Sequence, residues 1–290
     1  MAGQNQNPSG DGDMTLYTPD EEAYARYRHP VVDRSIGRTT GNWRIIYVNG
    51  MATNSRTHAE TSRQLATIAG KRVSGIYNQQ GTDGADGILS FFADLWQCAG
   101  DQTLPVGRTI NPAMRRLLNM TETQRAQAVG ETLLRNNLAA QTLYRELLGA
   151  AKAGAWTIVV CHSQGNLVTT NALWVLKHIR ENEPSHMGKI RVFGLASPSA
   201  SWPPNRQGGL HFRLYRHTGD PVTLLSVPWL GESAANVEPP VVTRRSFSPQ
   251  AGVEETEGRE SMSMRFHGVT ANYFIRKDFQ RDLHRTLRGG

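Results

Sequence analysis

Several things are scarce in this chain, and each scarcity removes a class. No run approaches the ~20 consecutive apolar residues that a membrane-spanning helix needs, so no span is expected. Only two cysteines occur, Cys98 and Cys161, with no neighbouring ligand pair. A disulfide framework and a metal centre are therefore not expected. Cys161 closes an apolar strand and reads as a small buried hydrophobe. Met1 to Met14 is rich in Gly, Asn, Gln and Asp and has neither the basic segment nor the apolar run of a secretory signal. The expectation is a chain cytoplasmic as made, its first residues disordered, with export left to a specialised machinery that needs no cleaved signal. There is no internal repeat and no linker-like stretch between domains.

What is present is a basic, mixed-composition chain of one-domain size. Lys and Arg number 32 against 25 Asp and Glu, a net charge of +7 over 290 residues. Such a surface favours anionic partners. The basic residues are scattered, with a modest concentration at Arg276, Lys277, Arg281, Arg285 and Arg288. They lack the interleaved aromatics of nucleic-acid modules, so nucleic acid is not an expected partner. A solvated basic face is the ordinary reading, and attraction to an anionic membrane surface the functional one.

Apolar periodicity sets out the elements. Residues 1–40 read as a flexible start followed by a polar, irregular peripheral arm, and 41–290 as a single domain. Trp43–Val48 is a buried strand stopped by Asn49-Gly50, Thr57–Ala69 a helix closed by Gly70, and Arg72–Tyr77 a second strand. That unit predicts a parallel pair joined by a helical crossover. A Gly- and Asp-rich loop then leads to Ile88, Leu89, Phe91, Phe92, Leu95 and Trp96, which share one helical face. Helices over Pro112–Met120 and Thr121–Ala153 complete a helical insertion at about 84–153. Strands follow at Trp156–Val160, Ile190–Leu195 and Phe212–Arg216, with a short one at Val241-Val242. Helices are expected from about Gly165 to Glu181 and over Thr270–Leu287. The class is α/β, with a mostly parallel central sheet and helices on both faces.

An apolar strand, the residues Cys161-His162-Ser163-Gln164-Gly165, and then an amphipathic helix form a strand–turn–helix context for a nucleophilic serine. On such a turn Ser163 stands above the sheet, and the N–H of Gln164 faces the space where an oxyanion forms. Gly165 suits the close approach of strand and helix, whereas Cys161 replaces the glycine more usual at its place. The ordinary alternative is a serine that caps the helix. Neighbouring side chains diverge on such a turn, so His162 is not expected to serve as the base; it is given a structural or substrate-facing role.

Here the chain resembles the α/β-hydrolase superfamily. It looks most like the lipase-like members among bacterial type VI secretion effectors and polymorphic toxins. The resemblance is carried by Val48-Asn49-Gly50-Met51, Gly75-Ile76-Tyr77-Asn78, Cys161 to Asn166 and Thr218-Gly219-Asp220-Pro221-Val222. It implies the α/β-hydrolase fold, a lipid or phospholipid ester substrate, phospholipase activity of the A type, and an immunity or secretion-apparatus protein as partner. No cofactor is implied.

In that fold the chain order is Ser, acid, His. Asp220 follows a strand at its carboxyl end, with Glu254, Glu255 and Asp278 as fallbacks and an ordinary turn aspartate as the bland reading. Of nine histidines, His29, His58 and His162 precede the serine and His178 lies in its helix. His186 is in a polar loop, His211 and His217 come too early, and His284 sits in a charged, solvent-facing helix. His267 remains as the base. The resemblance places a second oxyanion donor at the N–H of Met51, with Thr53 or Asn54 as side-chain additions, and gives Asn49, Gly50 and His162 to substrate binding. An acyltransferase or small-ester esterase on the same triad, and a catalytically silent binding module, are the competing readings.

Overall fold

The computed structural model describes residues 6–28, 43–50, 53–79, 137–179, 188–198, 202, 210–217, 220, 222, 241–243 and 267–289. The stripe from Ile88 to Trp96, the helix Pro112–Met120, Met51, Cys98, Glu254 and Glu255 lie outside these residues. Among the described residues the strands are β1 (Met14–Tyr17), β2 (Trp43–Val48), β3 (Val73–Ile76), β4 (Trp156–His162), β5 (Ile190–Leu195), β6 (His211–His217) and β7 (Val241–Thr243). The helices are α1 (Tyr24–Tyr27), α2 (Ser55–Ala69), α3 (Leu138–Lys152), α4 (Gly165–Ile179) and α5 (Lys277–Gly289), with a π-helical turn at Thr270–Phe274.

The strands form one seven-stranded sheet in the order β1-β3-β2-β4-β5-β6-β7. All pairs are parallel except β1 with β3. Side-chain alternation sends Trp43, Ile45 and Tyr47 of β2 into one apolar layer and Ile46 and Val48 into the other. The first layer holds Leu65 and Ile68 of α2 with Phe279, Leu283 and Leu287 of α5, and the second holds Leu143 of α3 with Leu173 of α4. Helices therefore cover both faces, which is why the central strands read as nearly unbroken apolar runs.

Three expectations need correction. The polar arm is not all peripheral, because Met14–Tyr17 joins the sheet antiparallel to β3, in register from Met14↔Ile76 to Tyr17↔Val73. Tyr17 is fully buried there, and a four-residue alternation is too short to stand out in a polar stretch. The terminal helix is broken at Ile275 and Arg276. Arg276 turns inward, its Nη1 donating to Arg216 O at 2.9 Å, while Gln280 Nε2 donates to Phe274 O at 2.7 Å. His284 is buried rather than solvent-facing, with Nε2 2.8 Å from Ile68 O.

Helix α2 starts where a cap allows it: Asn54 accepts from Thr57 N at 2.8 Å, and the helix ends on Gly70 at φ 63°. It carries His58 into the interior, against Tyr17, Tyr47 and Tyr77, with ring centroids 6.0, 5.6 and 5.4 Å away. Neither ring nitrogen has a hydrogen-bond partner. Burial pushes the His58 pKa down to about 3, the nearby Gly75 backbone opposing weakly. A histidine depressed in the fold contributes stability above its unfolded pKa, and that stability is lost as pH falls from 6.5 toward 3. At pH 5 the loss from this one group is about 2 kcal/mol. The drop in urea-unfolding free energy between pH 7 and pH 5 is therefore expected to shrink by that amount in His58→Phe. An undiminished drop would assign the acid sensitivity to other groups.

Candidate active site

Strand β2 lies between β3 and β4, so the chain leaves it toward one side and later returns on the other. Open parallel sheets place ligands at such a switch, outside the carboxyl ends of the strands. Asn49-Gly50 follows β2 at that edge and Ser163 follows β4. The two meet: a Cβ on Gly50 would lie 2.6 Å from Ser163 Cβ, and a Cβ on Gly165 would lie 2.5 Å from Val48 O. Glycine at both positions is what lets the turn, the first helical residue and the β2 loop share this space.

Ser163 itself has φ 53°, a left-handed conformation unusual for a residue with a side chain. Its backbone is held on both sides. Ser163 N donates to Leu195 O at 3.0 Å, and Ser163 O accepts from Asn166 N and Asn166 Nδ2, each at 2.9 Å. Asn166 Nδ2 also donates to Leu195 O at 3.0 Å, tying turn and neighbouring strand together. The Ser163 hydroxyl is buried and without a hydrogen-bond partner, so it caps nothing. Cys161 is buried beneath the turn, where burial pushes its thiol up to about 12.

Asp220 and His267 are brought together from 47 residues apart. His267 Nδ1 lies 2.9 Å from Asp220 Oδ2 and 3.1 Å from Oδ1. Asp220 is fully buried and, among the described residues, also accepts from Tyr273 OH at 2.7 Å and Val222 N at 2.9 Å. Burial alone would raise its pKa; the donors from His267, Tyr273 and Val222 outweigh that and hold the carboxyl below its ordinary value. A carboxylate on Nδ1 fixes the imidazole tautomer and leaves Nε2 as the proton acceptor. The fallback Asp278 is engaged by Arg276, whose Nε lies 2.9 Å from Oδ1.

His162 occupies a place the sequence did not reveal. Its ring packs on His267 at 4.6 Å between centroids, and its Nε2 lies 2.8 Å from His267 O. Burial, and then the neighbouring imidazole, push the His162 pKa down to about 3, so it is neutral at physiological pH and donates Nε2–H to that carbonyl. Of the structural and substrate-facing roles expected of His162, this contact with the His267 backbone is of the structural kind. His267 thus lies against the residue before Ser163, and no hydrogen bond joins it to the Ser163 hydroxyl.

The Asn49 side chain is likewise taken up by backbone groups. It is fully buried, its Nδ2 donating to Gly50 O at 2.7 Å and Asn78 O at 2.8 Å, its Oδ1 accepting from Asn78 N at 2.9 Å. Asn78 Nδ2 then donates to Gln164 Oε1 at 2.9 Å. This side-chain ladder spans the ends of β2, β3 and β4. Asn78, Asn166 and Tyr273 were given no role from sequence, since an isolated Asn or Tyr carries no spacing signal for a contact across strands. Comparison with protein-family models, with curated proteins and with solved structures finds no match to this chain.

Proposed function

We propose that this chain is a serine ester hydrolase of the α/β-hydrolase type, with Ser163 as nucleophile, His267 as general base and Asp220 as its orienting acid. The observation that carries the reading is the buried Asp220–His267 pair, 2.9 Å apart, packed through His162 against a strained serine whose hydroxyl serves no structural bond. A serine, a base and an orienting carboxylate at the carboxyl edge of a parallel sheet are the parts of acyl transfer through a covalent intermediate.

In the proposed cycle His267 Nε2 takes the Ser163 proton as Oγ attacks the ester carbonyl. The imidazolium formed is stabilised by the Asp220 carboxylate, which does not itself become protonated. The oxyanion is bound by the N–H of Gln164, the residue before α4, and by the N–H of Met51. His267 then protonates the departing alcohol, and water activated by the same histidine releases the acid. The lipase-like resemblance and the net charge of +7 support a lipid or phospholipid acyl ester as substrate, met at an anionic surface.

The test is fatty-acid release from mixed phosphatidylethanolamine and phosphatidylglycerol vesicles, with covalent labelling by a fluorophosphonate mapped to its residue. Labelling at Ser163 with lipid release supports the full reading. Labelling with turnover of short esters alone keeps the hydrolase and removes the phospholipase. No labelling and no turnover removes both.

A further inference from the structure

We propose that the N-terminal arm, residues 6–17, is a positioning element of the ester-cleaving site. The arm grips Tyr77-Asn78-Gln79 from outside, and Asn78 in turn holds Gln164, the residue assigned an oxyanion-binding amide. The inference rests on the hydrolase reading above and says which part of the chain keeps that site in shape.

Tyr77 to Gln79 leave the sheet after β3, and their backbone groups need partners away from it. The arm supplies them on one side. Gly12 N donates to Tyr77 O at 2.7 Å and Tyr77 N to Asp13 O at 2.9 Å. Gln79 N donates to Asp11 Oδ1 at 2.9 Å. The site supplies them on the other, where Asn49 takes both backbone groups of Asn78 and Gln164 takes its side-chain amide. An extended tripeptide presents alternate residues to opposite sides, and here one side belongs to the arm and the other to the catalytic edge.

The arm is tied down along its length. Asp13 Oδ2 accepts from Ser9 N at 2.9 Å, Ser9 Oγ at 2.5 Å and Gly10 N at 2.8 Å, closing a tight turn. Gly12, inside that turn at φ 76°, is pressed so closely on α3 that a Cβ would lie 2.7 Å from Leu138 C. Its carbonyl accepts from Thr142 Oγ1 at 2.9 Å. Pairing of β1 with β3 explains the register of Met14 to Tyr17; it does not explain why Asp11 reaches beyond the strand to the amide next to Asn78. A brace on Asn78 does.

The experiment compares wild type, Asp11→Ala and Asp11→Asn on p-nitrophenyl butyrate. Rates are counted per serine titrated with fluorophosphonate, so that unfolded protein does not enter. Asp11→Ala is expected to lower kcat roughly 10-fold with KM and melting temperature unchanged. Asp11→Asn, which keeps an oxygen for Gln79 N–H, is expected to restore kcat. Wild-type kcat in Asp11→Ala, or an equal loss in both variants, overturns the arm's role and leaves the hydrolase intact. A wild type that neither takes the probe nor cleaves the ester overturns the hydrolase reading and this inference with it.

Discussion

Ser163→Ala is expected to abolish ester turnover, by about 10⁶-fold in kcat, without weakening the fold. Two observations separate that outcome from the loss of an ordinary buried serine. The hydroxyl has no hydrogen-bond partner, so its removal breaks nothing and relieves a buried, unsatisfied group, an effect on the order of 1 kcal/mol in favour of the variant. The residue also holds φ 53°, a conformation that disfavours any side chain. Ser163→Gly, equally inactive, is therefore expected to gain about 1 kcal/mol from relief of backbone strain. A helix-capping serine behaves in the opposite way, losing about 1 kcal/mol on substitution by alanine. Thermal melting of wild type, Ser163→Ala and Ser163→Gly alongside probe labelling decides between them. Lower stability in both variants with turnover retained would return Ser163 to a structural role. Inactive variants that are as stable as wild type or more so are the mark of a residue kept for chemistry at the expense of the fold.

The central sheet was legible because its strands are buried on both faces, so that Trp43–Val48 and Ile190–Leu195 announce themselves as apolar runs with the boundaries later observed. The strand at Val241 is found one residue longer than expected. The edge strand Met14–Tyr17 was missed for the converse reason: only alternate residues are buried, and the flanking chain is polar. The serine turn and its glycine could be read because close backbone approach restricts residue type, and Gly165 sits on the Val48 carbonyl as that restriction requires. Asp220 and His267 could be chosen by chain order. The residues that hold them could not: Tyr273 reaches Asp220 and His162 reaches the His267 carbonyl through tertiary packing alone. Burial directs the side chains of Asn49 and His162 onto backbone atoms, of Gly50 and Asn78 in one case and of His267 in the other, contacts that no spacing in the sequence announces.

Asp220→Asn is expected to lower kcat about 10⁴-fold with the protein still folded. The substitution preserves size, and an amide oxygen can still accept from Val222 N, now 2.9 Å from Oδ1. What changes is the partner of His267 Nδ1. A carboxylate can only accept, so it holds the proton on Nδ1 and leaves Nε2 unprotonated in the neutral ring. An amide turned to keep its oxygen on Val222 N puts NH₂ at the place of Oδ2, facing Tyr273 OH and His267 Nδ1; the imidazole then carries its proton on Nε2 and cannot take another from Ser163. The loss should appear in kcat rather than KM, because the carboxylate acts on the base and not on bound ester. Combining Asp220→Asn with Ser163→Ala supplies the stricter check: members of one catalytic unit fail as a unit, so the double variant is expected to be no slower than Ser163→Ala alone. If the two losses multiplied instead, Asp220 would be acting independently of the serine, and its hydrogen bond with His267 would be a structural clamp beside the site.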